Sequence, residues 1–177
     1  MSIRRLWNRE APRREDGWAM MEVMIAIFIA LIMLGGVFAY VTMAMQGSKI
    51  STAQTNLSTI RMSVRKLYTG QPNFSGLDTS TANGAGVFPG DMTSGSGPKN
   101  AWNGDVSVSA ASDPTQFEIV YNNVPEEPCV ELAKFGYGSW ESVSVGGSSI
   151  SQTGGGSVSD AVSACASGGN SITYTSN

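Results

Sequence analysis

The sequence predicts an α+β protein: a long N-terminal helix, transmembrane in its first half and amphipathic in its second, packed on a small antiparallel sheet head with short helices and one disulfide. Three observations predict it. The residues from Trp18 to Met45 are nearly all apolar. An apolar stripe at helical spacing continues from them to Leu67. Beyond residue 105, short stretches alternate apolar with polar side chains and are separated by Gly, Pro and Asp, the pattern of half-buried strands and turns.

Residues 1–17 are polar, carry five arginines (Arg4, Arg5, Arg9, Arg13, Arg14) against Glu10, Glu15 and Asp16, and show no apolar periodicity. They stand apart from the fold as a leader. The run after Gly17 exceeds the roughly 20 apolar residues that a membrane-spanning helix needs. Its one charge is Glu22. A lone carboxylate in hydrocarbon costs about 2.5–3.5 kcal/mol, so this one needs a role. A cleaved secretory peptide fits less well, since its apolar core is about 7–15 residues long and ends at a small-residue cleavage site. Basic residues before a span favour a cytoplasmic N-terminus, which puts everything after Met45 beyond the inner membrane.

From residue 46 the pattern becomes amphipathic. Ile50, Ala53, Leu57, Ile60, Val64 and Leu67 recur at alternating steps of three and four, a single stripe at helical period. Ser, Thr, Asn and Gln fill the other faces, Arg61, Arg65 and Lys66 lie near the C-terminal end where cations suit the helix dipole, and Gly70 follows as a C-cap. Nothing between Trp18 and Thr69 forces a break, so one helix of about 78 Å is expected at 1.5 Å per residue. Gly35, Gly36 and Gly47 weaken it by about 1 kcal/mol each and are the expected places for local bending.

Residues 70–104 read as a connector with a short helix near 78–84, capped by Asp78 or Thr79. Its apolar residues Phe74, Leu77, Val87, Phe88 and Met92 are expected to pack onto the head. Val106–Ser109 and Phe117–Tyr121 form an antiparallel pair about a turn at Ser112–Pro114. Pro125 to Gly136 reads as a helix opened by proline and acids and closed by lysine and glycine. Trp140–Val145 is a third strand, Gly146–Gly147 and Gly154–Gly156 mark turns, and Ser171–Thr175 is the last strand. Ser157–Ala166 is a helix expected to bury Val158, Val162 and Cys165 at i, i+4 and i+7.

Composition narrows the chemistry. The chain of 177 residues has no histidine, which removes a Ser-His-Asp triad, a Cys-His pair and a His-ligated metal. No acid–base or nucleophile set stands out, so no enzyme and no cofactor are expected. Cys129 and Cys165 are too few for a structural zinc site. They read as one disulfide in an oxidising compartment, with two free thiols in a reducing one as the rival. After the leader there are six basic and eleven acidic side chains, an acidic head that argues against a phosphate-binding face and against nucleic acid as a partner.

The combination of Gly17, a large hydrophobic Trp18 and Glu22 as the fifth residue after the glycine resembles the prepilin processing site of type IV pilins. Lys66-Leu67-Tyr68, Phe74-Ser75-Gly76-Leu77, Gly86 to Met92, Asn100-Ala101-Trp102-Asn103-Gly104, and Phe117 to Val124 followed by Pro125 and Cys129, are similar to the head of type IVb major pilins. The likeness is greatest to the thin-pilus subunits of conjugative plasmids and related enterobacterial pili. The resemblance implies cleavage between Gly17 and Trp18 by a prepilin peptidase, and pairing of the new Trp18 amine with Glu22 of a neighbour as a register device. The implied segments are residues 1–17 as leader, 18–45 as fibre-core helix, 46–69 as its amphipathic continuation and 70–177 as head. The implied partners are other copies of the chain in a homopolymeric filament, the peptidase, an assembly platform in the inner membrane, and minor pilins or an adhesin. The subunit is expected in the inner membrane first and then in an extracellular filament that serves conjugation or attachment. A minor pilin or a secretion pseudopilin shares everything up to Gly70. A membrane-anchored periplasmic binding domain is the alternative from another class, with the Phe135–Trp140 aromatic and glycine cluster as its recognition patch; as a pilin, the chain uses that cluster for packing.

Overall fold

A stretch rich in Met, Ala, Ile and Leu, with no proline between residues 16 and 67, carries one helix, α1, from Asp16 to Leu67, 52 residues without interruption. It starts and stops two residues before the predicted bounds, and Gly35, Gly36 and Gly47 do not break it. The computed structural model describes residues 16–93, 95, 97–136, 138–151, 156–166 and 168–177, so residues 1–15 of the expected leader lie outside the described residues. The chain divides into two units, Met1–Ala44 and Met45–Asn177.

In the first unit, every side chain described from Trp18 to Val41 is exposed. Met20–Val37, 18 residues with a mean hydropathy of 2.4, is long and apolar enough to cross a membrane, and none of it is buried. Apolar groups without a partner are the costly feature here, and within the first unit the described residues bury none of them.

The second unit gives the amphipathic stripe its partner. Ala53, Leu57, Ile60 and Val64 are buried in a single core with the sheet. The stripe ends one step earlier than its spacing predicts, because Leu67 is 43% exposed. Tyr68 takes over that end of the core, 5.3 Å from the Phe74 ring, which in turn lies 4.8 Å from Phe117.

In the connector, α2 (Thr79–Gly84) is capped by Asp78, whose Oδ1 accepts from the Thr81 N–H at 2.6 Å. Leu77, Val87, Phe88 and Met92 are buried and Phe74 packs against them, as expected. The sheet contains β1 (Val106–Ala110), β2 (Phe117–Val124), β3 (Ser142–Val145), β4 (Ser148–Ile150) and β5 (Asn170–Ser176). Its order is β1-β2-β5-β3-β4, and every pair is antiparallel. Alternation sorts its faces. Val106, Val108, Phe117, Ile119, Tyr121, Val143, Val145, Ile172 and Tyr174 are buried, while Ser107, Ser109, Glu118, Ser144, Ser171 and Thr173 are only partly so. One face meets the core and the other is polar, as in antiparallel sheets covered on one side.

Strand β4 is not expected from the sequence. It exists because Gly146 and Gly147 adopt φ of +56° and +87°, the left-handed pair that a tight two-residue hairpin requires. A second close fit lies at Gly104, where a Cβ would drive into the backbone carbonyl of Asn122.

Helix α3 (Glu126–Ala133) lies where the sequence predicts, and buries Cys129, Leu132 and Ala133. Helix α4 (Gly156–Ala164) exists as predicted but turns a different face inward. Ala161 and Cys165 are buried, whereas Val158 and Val162 are 51% and 58% exposed. The bond from Cys165 to α3 holds the Ala161 and Cys165 side of α4 inward.

Ile60→Ala should lower stability by about 2–5 kcal/mol, the usual range for a buried aliphatic truncation, whereas Met62→Ala on the exposed side of α1 should stay within about 0.5 kcal/mol. Urea midpoints of the two proteins in the same detergent check both values. Gly104→Ala should also destabilise, through the clash with Asn122.

Candidate functional site

The residues singled out from the sequence fall into two groups. Gly17, Trp18 and Glu22 all lie in the first turns of α1. Trp18 (82% exposed) and Glu22 are four residues apart, so they rise from one face of the helix a single turn apart. Among the described residues Glu22 takes part in no ion pair. Cys129 and Cys165 are brought together in the head as a disulfide with Cα atoms 5.9 Å apart. It ties the middle of α3 to the residue just past α4.

Three polar residues hold the head together in ways that the sequence does not point to. The Arg61 Nε–H donates to the Ser176 hydroxyl at 2.7 Å, and its guanidinium lies 4.8 Å from the centre of the Trp140 ring. Burial, and then the neighbouring charge of Arg65, lower the Arg61 pKa, with Glu141 opposing them. Trp140 in turn stacks 5.0 Å from Tyr174, whose hydroxyl donates to the Leu132 carbonyl at 2.8 Å. Burial holds the Tyr174 hydroxyl well above its ordinary pKa, so it stays a donor.

Asn100 and Asn170, both more than nine-tenths buried, each organise a loop. Asn100 Oδ1 accepts from the N–H groups of Trp102 and Gly104, and its amide donates to the Asn122 carbonyl at 2.7 Å. Asn170 Oδ1 accepts from the Ala166 N–H, and its amide donates to the Val124 and Ala166 carbonyls. A buried amide is tolerated when its donors and acceptor are matched in this way. The only sequence signal is asparagine in a turn-like stretch: Asn170 follows Gly168-Gly169, and Asn100 stands four residues before Gly104.

The Phe135–Trp140 cluster is packing where it is described. Trp140 is buried beneath Arg61, and Phe135 packs against the core; Tyr137 lies outside the described residues. Trp140 therefore presents no open ring to a ligand. Among the described residues no three of His, Cys, Asp and Glu gather closely enough to hold a metal ion.

A long helix with an apolar N-terminal half, leading into a head with a one-face antiparallel sheet and a disulfide between its C-terminal helical segments, defines the type IV pilin class. The fold is similar to the crystal structure of TcpA, a type IV pilin from Vibrio cholerae El Tor biotype, with a TM-score of 0.55 and 12% identity over 73% of this chain and 99% of that one. The chain is also 24% identical over 129 residues to the major structural subunit of bundle-forming pilus from Escherichia coli O127:H6, covering 71% of this chain and 67% of the relative. The same protein of Escherichia coli O111:H- matches equally. Residues 47–177 match the model of the PilS N-terminal family, and the chain belongs to that family: it is a type IVb pilin, a structural subunit and not an enzyme.

Two measurements test the internal ties. Reducing Cys129–Cys165 opens a loop of 36 residues, which should lower the head's stability by about 4 kcal/mol on the chain-entropy relation. Urea unfolding with and without reductant reads it. Arg61→Ala should weaken the head by about 1–2 kcal/mol and raise hydrogen exchange at the end of β5, because the cation–ring contact and the bond to Ser176 go together.

Proposed function

We propose that this chain is the major structural subunit of an extracellular type IVb pilus, processed by a prepilin peptidase between Gly17 and Trp18 and assembled from copies of itself. The observation that carries this reading is the exposed apolar helix Met20–Val37 running on, within α1, into a head of the PilS N-terminal family. Eighteen residues that no described residue buries need lipid before assembly and other helices after it. At about 25 cal/mol per Å², burying roughly 1,000 Å² of such surface per subunit yields about 25 kcal/mol before entropy losses, so helix packing is the cohesive term.

Cleavage fits the same reading. It removes a leader with five arginines that could not enter an apolar fibre core, and it frees an amine at Trp18. In the assembled fibre that amine of one subunit lies against Glu22 of the next. Opposite charges attract strongly where the dielectric is low, but desolvation offsets much of the gain, so the pair sets register more than it adds cohesion. The segments are then residues 1–17 as leader, 18–45 as fibre core, 46–69 as continuation and 70–177 as head. The arginines before the span favour insertion with the N-terminus in the cytoplasm and the head in the periplasm. The inner-membrane assembly platform and minor pilins or an adhesin complete the partners. The name of the Escherichia coli relatives supports a bundle-forming pilus, with conjugation or attachment suggested by the thin-pilus likeness of the head motifs.

The intact mass of the main band of sheared surface filaments is expected to match a chain starting at Trp18. A chain retaining any of residues 1–17 overturns the processing step. Gly17→Asp should leave the full-length chain in the membrane. Glu22→Ala should still be cleaved but yield few filaments, and normal filament yield from it would remove the pairing role.

A further inference from the structure

The loops held by Asn100 and Asn170 frame one end of the sheet. Between them lies a cleft of about 590 Å³ lined by Lys49, Trp102, Asn103, Asn123, Pro125 and Gly169, among others. Its walls are fixed: Asn103 and Asn123 hold φ of +63° and +56°, and a Cβ at Gly169 would meet the Asn123 side chain. Lys49 brings an exposed ammonium to the cleft, and among the described residues it pairs with no carboxylate. The Trp102 indole N–H, buried in the wall, has no acceptor among the described residues. The cleft therefore offers an aromatic wall and an ammonium that is in no ion pair among the described residues.

The occupant that the charges favour is another copy of this chain. Past residue 17 the chain carries eleven acidic side chains against six basic ones, so its own surface is what complements a free lysine. One acid is placed for it. Strand β2 runs from Phe117 at one end of the sheet to Asn123 and Val124 at the cleft end, and over that length the ends are about 20 Å apart. The turn before Phe117 presents Asp113. Its Oδ1 accepts from both the N–H and the hydroxyl of Thr115, at 2.9 and 2.7 Å, and Oδ2 has no partner among the described residues. Those same bonds, the hydroxyl's first and then the N–H's, lower its pKa and keep it charged. Two different patches at opposite ends of one strand make a heterologous contact, which propagates into a filament wherever its rotation does not close into a ring.

We propose that, in the filament, the Asp113 turn of one subunit seats its carboxylate against Lys49 in the Lys49–Trp102–Asn123 cleft of another. This rests on the filament reading above and adds the surface by which heads recognise one another.

The test is a charge exchange in the full-length chain, read as filament mass sheared from cells. Lys49→Asp and Asp113→Lys should each lower yield about tenfold through like-charge contact, and the double exchange should restore it to within about threefold of the parent. Formation of the Cys129–Cys165 disulfide in each membrane-resident variant checks folding. A variant that fails this check is replaced by Lys49→Gln or Asp113→Asn, each expected to lower yield by a smaller factor. Single variants that assemble as the parent does overturn the contact. Loss with Lys49→Asp but not with Asp113→Lys assigns the cleft to another acid or to an acidic glycan and overturns the proposed occupant, as does a double exchange that restores nothing. In each of these cases the parent still forms filaments and the function stands. A parent that sheds no filaments overturns both.

Discussion

Burial along α1 is one-sided after Met45 and absent before Val41, and this asymmetry of a single helix constrains everything else in the chain. A helix satisfies its backbone hydrogen bonds internally, so the upstream half can reside in lipid without any partner. The downstream half cannot, because Ser, Thr and Gln occupy most of its surface. It needs a flat apolar counterpart for Ala53, Leu57, Ile60 and Val64, each larger side chain contributing about 1.5–3 kcal/mol when buried. A sheet with one apolar face supplies that counterpart. Its other face is left to Ser, Thr and Glu, and the head has a single core instead of two.

The sheet depends most on its last strand. β5 sits between β2 and β3, so β1-β2 and β3-β4 belong to one sheet only through it. Both ends and the middle of β5 are anchored by side chains from distant parts of the chain: Asn170 to Val124 at the start, Tyr174 to Leu132 in the middle, and Ser176 by Arg61 at the end. The disulfide acts on the same region, since it holds α4, which precedes β5, against α3. Arg61 therefore does more than complement the helix dipole: it couples α1 to the strand on which the sheet's continuity rests.

Most of what is local is legible in the sequence. The long helix, the Asp78 cap, the β1-β2 pair, α3 and the paired cysteines follow from period, capping chemistry and composition, each to within a few residues. Readings that need distant partners fail. Valine outranks alanine on any hydrophobic scale, so the sequence places Val158 and Val162 in the core; the disulfide at Cys165 turns Ala161 inward instead. Leu67 continues the stripe in sequence, but aromatic packing of Tyr68 with Phe74 closes that end of the core. β4 has one apolar residue, Ile150, and too little pattern to register. The cleft is invisible for the same reason: Lys49, Trp102, Asn123 and Gly169 come from four separate stretches, and only strand order brings them together.

Strand addition, the commonest route by which a sheet recruits copies of itself, is blocked at the better edge of this one. The outward N–H groups of β1 are already taken. Val106 donates to the Pro98 carbonyl, Ala110 to the Leu77 carbonyl, and Val108 to the Thr79 hydroxyl. The same hydroxyl donates back to the Val108 carbonyl at 3.2 Å, so one threonine closes both groups of the central edge residue. The opposite edge is β4, with only three residues. Protected or very short edges are how sheet proteins avoid indiscriminate pairing. The connector of residues 70–104, which looks long for a compact head, thus has a physical role in keeping backbone hydrogen bonding out of self-association. Contacts between copies are then left to side chains, which on the reading proposed above are those of the apolar helix and of charged loops at the ends of the sheet, and side-chain contacts can be specific where a bare strand edge cannot.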